Sequence, residues 1–439
     1  MSTRVLVLVA LACAAFFIGV ARAEEDPRLT EIVDILHEEG VIDDDQHHEL
    51  AAKAQRQQDL EDWTDRISIW ADFRARYEMF DFDKDVYTRA LEAANPNAPR
   101  LDENHRVRYQ ARINVRGEVA SRARVHFRLV SGNDNPRVGL QTLGGPGPDF
   151  DTDDVRFDLA YATISPFPDR ELPGVDQGLL AIDLGKVPNP FRSKDFGPEK
   201  MLWDSDITFE GGNLRIAGMA GPVALFSNSG VYVIEENAAS KDPKLASTQL
   251  GGSMPITEEV SFGVRGTVHH FFSLDDGFFT RTTLLGNLPG GLARRNGSIQ
   301  VVEGAAFLTL DFLEWLPARL FASWARNLAA RSTPGAGRED DAYHFGILVG
   351  DEATIARVGF AYYVIEANAF PSVYLDSVVF DGRPNRHGYE WTLRRQLVPN
   401  VDFLFSAYLS DRIEGGAQYA NSGVLSDRFR MRTDLVFDF

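Results

Sequence analysis

The chain has one cysteine, Cys13, in 439 residues. It lies inside the apolar stretch Val5 to Val20, so a leader ending at Ala23 would take it away. The remainder then has neither disulfide staples nor cysteine metal clusters. Beyond that stretch, no run reaches the roughly 20 apolar residues of a membrane helix. This does not exclude a membrane, because barrel strands give a weak signal per segment. Positive charge is in the minority. The formal net charge is −19, and −21 without Arg4 and Arg22, which argues against bulk nucleic-acid binding. Catalytic signatures are missing as well: no G-x-S-x-G, P-loop, H-E-x-x-H or Gly-rich dinucleotide turn occurs. Neither an enzyme nor a cofactor is expected.

What is present falls into three parts. Residues 1–23 read as a secretory signal peptide: Arg4 gives the positive start, and Ala21-Arg22-Ala23 the cleavage site. Cys13 is not a lipoprotein site, since the apolar run continues past it and Ala10 stands where such sites favour leucine. Residues 24–60 form a polar, helical segment expected on the periplasmic side. Leu29, Ile32, Val33 and Leu36 follow helical spacing, and Gly40 suits a C-terminal cap. Asp43 caps a second helix with Gln46 in the capping-box position, and Leu50, Ala51 and Ala54 line its apolar side. His47 and His48 are adjacent and do not share a helix face.

Residues 65–439 change to a period of two. In "RVRYQARINVRGEV", one strip carries Arg106, Arg108, Arg112 and Arg116, and the other Val107, Tyr109, Ile113 and Val115. Ile67 to Met79 alternates likewise, with Arg74 and Arg76 on the polar strip; Arg124 and Arg128 continue it one strand later. About 16 such strands follow one another, many with the 9–11 residues of a tilted membrane strand. Their connections alternate between long, Gly/Pro/Asp-rich loops and short turns such as Ala220-Gly221-Pro222 and Pro399-Asn400. Only the 165–178 connection breaks that parity. This is the layout of a transmembrane antiparallel β-barrel, whose closure satisfies every strand edge. Energy then decides which face is which. Arginines turned to hydrocarbon would cost roughly 2–4 kcal/mol each near the midplane. The arginine strip must therefore face a wet lumen, and about 16 strands leave room for one.

The chain ends on Phe439, with Phe437, Leu435, Met431 and Phe429 on its face and Arg428, Arg430, Arg432, Asp434 and Asp438 on the other. This resembles the C-terminal assembly signal read by the barrel-assembly machinery. Together with "HRVRYQARINVRGEV", "FDLAYATI", "LGKVPNPF", "LWDSDITFEGG" and "LVFDF", the chain resembles the putative porin family of Gram-negative outer membranes. Its layout is similar to the phosphate-selective type, in which a short helical segment precedes a 16-stranded barrel. The resemblance implies a passive channel for small hydrophilic solutes or ions, seated in outer-membrane lipid and assembled as a homotrimer. It names no solute. The rival reading is a surface-exposed binding protein or adhesin on a plugged barrel.

In 16-stranded porins the third long loop narrows the lumen; here it is Val187 to Glu210. It offers Arg192, Lys194, Asp195, Glu199, Lys200, Asp204, Asp206 and Glu210. Opposite would stand Arg74, Arg76, Arg108, Arg112, Arg116, Arg124 and Arg128, giving a transverse field. No metal site is expected. His269-His270 point to opposite faces of a strand, and Asp81, Asp83, Asp85 and Glu92 have calcium-loop spacing but Val86 where glycine is needed.

Overall fold

A computed structural model describes residues 33–34, 36–38, 43, 46–48, 50–53, 66–82, 103–120, 122–132, 139–144, 153–166, 180–191, 201–238, 241–293, 297–313, 315–415, 419 and 428–439. The expected strand periodicity becomes β1 (Ile67–Phe82), β2 (Glu103–Ala120), β3 (Ala123–Ser131), β4 (Gln141–Thr142), β5 (Val155–Ile164) and β6 (Leu180–Pro188). Then follow β7 (Thr208–Ala220), β8 (Val223–Val233), β9 (Lys244–Pro255), β10 (Val260–Phe272), helix α1 (Asp276–Leu284), β11 (Ile299–Leu310) and β12 (Ala318–Asn327). The last are β13 (Asp341–Val349), β14 (Arg357–Ile365), β15 (Arg386–Val398), β16 (Val401–Arg412) and β17 (Arg428–Asp438). Every strand pairs antiparallel with its neighbour, and β1 pairs with β17 from Asp72↔Asp438 to Phe82↔Arg428. The sheet is thus closed. Apart from the two-residue β4, which extends the ladder beside Arg108 and Tyr109 of β2, it is a barrel of 16 strands.

The alternation sorts itself as the cost of desolvated charge requires. On β2, Val107 and Ile113 are exposed on the outer surface, while Arg108, Gln110 and Asn114 are buried inside. The outer surface continues through Leu214, Leu225, Leu250, Val264, Phe345, Trp391 and Leu435. No helix among the described residues is long and apolar enough to cross a membrane; here strands supply the apolar belt.

The short turns share one end. Gly221, with φ +61°, and Asn400, with φ +65°, let β7–β8 and β15–β16 reverse in two residues. Both termini of the barrel lie at that end, where Ala71 and Phe439 exchange backbone hydrogen bonds of 2.6 and 2.9 Å. The helical segment shows the predicted capping box: the Gln46 amide donates to Asp43 Oδ1 at 2.8 Å and the Asp43 amide to Gln46 Oε1 at 3.1 Å. Leu29, Ile32 and the loop acids Asp83, Asp85 and Glu92 lie outside the described residues.

Candidate functional site

The inner surface has two unlike halves. One is the wall of β17, β1, β2, β3 and β5. Period two brings the arginines predicted for it onto the inner face, and cross-strand register then supplies partners that periodicity alone does not reveal. Arg112 Nε donates to both oxygens of Asp72 at 2.9 and 3.0 Å. Arg76 Nε meets Asp434 at 2.5 Å across the seam where the barrel closes. Arg128 is held by Asp158, and beyond this wall Arg215 of β7 is held by Asp183 of β6. Arg116 lies over the Trp70 ring at 5.8 Å. Arg74 and Arg124 share the same inner face.

Glu78 is the centre of this wall. Its carboxylate is fully buried and lies 2.6 Å from Arg106, 2.6 Å from Arg430, 3.4 Å from Arg108 and 3.8 Å from Arg76. Above it the inward-facing Phe80 ring carries the guanidiniums of Arg106, Arg428 and Arg430, each 4.7–4.8 Å from its centroid. Glu78 and Phe80 belong to the period-two strips of β1, yet only the register Glu78↔Arg106 and Glu78↔Arg432 shows what they meet.

The other half, along β7 to β14, is apolar near the long-loop end and is covered by loops turned inward. Phe209, Phe271, Ile299, Phe307 and Tyr363 of the wall pack on Phe191, Met201, Leu202 and Trp203 of the β6–β7 loop. Phe278 of α1 and Phe370, Leu375 and Phe380 of the β14–β15 loop complete the cluster. Trp203 is its keystone: its ring centroid lies 4.9 to 6.3 Å from those of Phe209, Phe370, His269, Tyr374 and Phe271. Two buried asparagines tie the loops together with their side-chain amides satisfied. Asn287 donates to the carbonyls of Ala367 and Phe370 and accepts from the Ser372 amide, and Asn327 donates to those of Leu292 and Asn368. His269 and His270 do point to opposite faces: His269 is sealed in the cluster against Ser247, and His270 stacks on Phe272 outside.

Within the segment from 187 to 210, Phe191 and residues 201–207 therefore turn inward, but its charges divide. Arg192, Lys194, Asp195, Glu199 and Lys200 lie outside the described residues. Asp206 approaches the arginine half. Its Oδ2 accepts the Gly139 amide at 3.1 Å, and the Gly139 carbonyl accepts from Gln110 of the wall at 2.8 Å. Leu140 beside it accepts from Arg108 at 2.7 Å. Gly139 and Leu140 of the β3–β5 connection thus also meet the inner wall, which the connection's polar, Gly/Pro-rich composition did not indicate. Two expected lining residues are corrected. Glu210 faces outward, because the preceding Phe209 points inward, and it pairs with Lys186 at 2.9 Å near the strand ends. Asp204 is 1 % exposed and lies between loops instead of in the channel.

Among the described residues one acidic trio, Asp340, Asp341 and Glu366, brings its oxygens within 4.8 Å of one another. Protein donors already occupy it: Arg326 grips Asp341, Arg338 meets Asp340 at 2.9 Å and the Asp341 amide donates to Glu366 at 2.8 Å. Burial and the neighbouring acids push Glu366 above the usual carboxylate range.

Residues 19–277 match the model of a family described as putative porin. No curated protein matches in sequence. Among solved structures, the high-pH structure of Pseudomonas putida OprB is similar over 86 % of this chain and 96 % of its own, with a TM-score of 0.53 at 8 % identity. A Rhodopseudomonas blastica porin mutant is similar over 85 % and 100 %, with a TM-score of 0.42 at 10 % identity.

Proposed function

The chain belongs to the putative porin family, and we propose that it forms a water-filled channel for passive diffusion of small hydrophilic solutes across a Gram-negative outer membrane. The inner arginine wall carries this reading. A row of guanidiniums on the inside of a closed barrel needs water to face it. Family and fold point to a channel rather than an enzyme. Steady, stepwise openings of the purified protein in planar bilayers are the expected result. A silent but correctly folded barrel would favour the alternative of a surface binding protein, for which the apolar loop cluster would act as a plug.

The constriction we assign to Asp206 and the Gly139–Leu140 backbone on one side and Arg74, Arg76, Arg108 and Arg112 on the other, with Arg116, Arg124 and Arg128 extending the wall. Asp72, Glu78 and Asp434 neutralise part of that wall, so the field across the opening is mixed with a positive excess. A modest anion preference follows. Arg112→Ala exposes Asp72 and should move the reversal potential in a salt gradient toward cations. An unchanged potential would remove Arg112 from the constriction.

The remaining assignments rest on the same reading: a cleaved signal at Ala23, a homotrimer in lipid, and assembly through Phe429, Met431, Leu435, Phe437 and Phe439. Both barrel termini lie at the short-turn end, which supports a periplasmic place for residues 24–60. Deleting that segment should leave a barrel that inserts and shows heat-modifiable migration in detergent gels. A truncated chain that never folds would make the segment part of the core instead.

A further inference from the structure

We propose that Asp204 is a proton-controlled latch between two inturned loops, closed while its carboxyl is neutral and released when it ionises. Its conductance readout rests on the channel reading above. The geometry is a clasp. Asp204 Oδ2 accepts the Ser377 amide at 2.6 Å, and its own amide donates to the Tyr374 carbonyl at 2.9 Å. Both partners belong to the β14–β15 loop. Asp204 Oδ1 accepts the Asp206 amide at 2.8 Å, which bends the β6–β7 loop around the contact. Trp203, the adjoining residue, inserts into the aromatic cluster, so the clasp and the apolar docking act on the same few residues.

The surrounding charges oppose an anion here. Asp206 comes from the same loop, and Asp376 comes from the loop across it. Asp376 is itself 2 % exposed, and its carboxylate takes the Val378 and Val379 amides at 2.8 and 3.2 Å. From β17 the nearby cations are engaged elsewhere: Arg430 with Glu78 and the Ser377 and Val378 carbonyls, Arg432 with Ser406 and Tyr408. Asp434 of the same strand holds Arg76, and Arg74 of β1 lies toward Asp206. Behind Asp376 stand Tyr363, Tyr408 and Glu390, joined by hydrogen bonds of 2.7 and 2.8 Å. Among the described residues no salt bridge reaches Asp204. The Ser377 and Asp206 amides that the carboxyl accepts favour its anion, but burial, then Asp376 and Asp206, outweigh them and push the carboxyl up to about 8. In an opened loop it returns to the ordinary aspartate value of about 4. The closed form therefore binds the proton more tightly. Raising pH from about 4 to about 8 weakens closure by up to roughly tenfold per unit, and above that the effect levels off. The docked Trp203 keeps the loops shut through the lower part of this range.

The test is the ratio of closed to open dwell time of the full chain in planar bilayers between pH 4.5 and 9.5. The ratio is expected to fall with rising pH and to flatten near pH 8. Asp204→Asn, which cannot ionise, should remove the slope. Asp376→Asn removes a like charge and should move the flattening to lower pH. A wild-type ratio independent of pH, or a slope that survives Asp204→Asn, overturns the latch. Heat-modifiable migration shows which variants fold. If Asp204→Asn does not, an unshifted Asp376→Asn profile overturns the proposal alone. A protein that never conducts overturns the channel reading instead. Hydrogen exchange at the Ser377 amide then decides the latch: protection lost with rising pH supports it, and constant protection overturns it.

Discussion

Glu78→Ala is expected to lower the stability of the barrel by about 3–5 kcal/mol, the range for breaking a buried charge network from one side. Glu78 is wholly buried, and Arg76, Arg106, Arg108 and Arg430 converge on it from three strands. Removing the carboxylate leaves those guanidiniums facing one another at reduced dielectric, with Phe80 stacked above and unable to accept their hydrogen bonds. The cost should be greatest where β1 meets β17, since Arg430 crosses that seam. Adding Arg430→Met removes one of the stranded charges and should recover part of the loss, which a double-mutant cycle reads as coupling. The measurement is the temperature at which the folded, fast-migrating band disappears in detergent. A midpoint equal to that of the unaltered protein would show the wall to be fully water-screened. Where folded Glu78→Ala protein conducts, its reversal potential should shift toward anions, opposite in sign to the shift for Arg112→Ala.

The contrast between what Glu78 is and what it meets shows where sequence reading ends. Period two placed Glu78 on the same strip as Arg74 and Arg76, and hydrocarbon energetics placed that strip inside. Local pattern and one large energy sufficed for the barrel, and likewise for the faces of β2 and β17 and for the ends at which turns and loops lie. Pairing is different. That Arg76 finds Asp434, or Arg112 Asp72, depends on how far each strand is staggered against the next, and staggers accumulate around a closed sheet. The loops were harder still. Glu210 and Asp206 are equally acidic in the sequence, but Glu210 belongs to a strand whose parity is set by Phe209, and Asp206 to a segment freed from that parity. The signal that could have found the docked loop is Met201-Leu202-Trp203, a bulky apolar triplet in a stretch otherwise polar. Exposed on a long loop such a triplet would be unfavourable, so it needs an apolar surface to cover it.

Trp203→Ala should therefore increase conductance while leaving the barrel intact. Trp203 is 4 % exposed and touches rings from three parts of the chain: Phe209 and Phe271 of the wall, Phe370 and Tyr374 of the β14–β15 loop. Truncating a buried tryptophan costs about 3–5 kcal/mol. The strands keep their closed ladder, so that cost falls mainly on loop docking. What remains to hold segment 201–207 is the packing of Met201 and Leu202, the Asp206–Gly139 contact and the two hydrogen bonds of the Asp204 clasp that cross to the β14–β15 loop, worth about 1 kcal/mol each. The loop should spend much of its time undocked. Single-channel conductance is expected to rise and its current to flicker, with heat-modifiable migration preserved. Trp391→Ala is the matched control. That side chain lies on the outer surface of the barrel beside Phe360 and Tyr389, so its loss should leave conductance unchanged. If Trp203→Ala inserts normally and conducts like the unaltered protein, the β6–β7 loop does not narrow the lumen. The constriction would then have to be sought in the β3–β5 connection alone, where Gly139 and Leu140 already touch Gln110 and Arg108 of the wall.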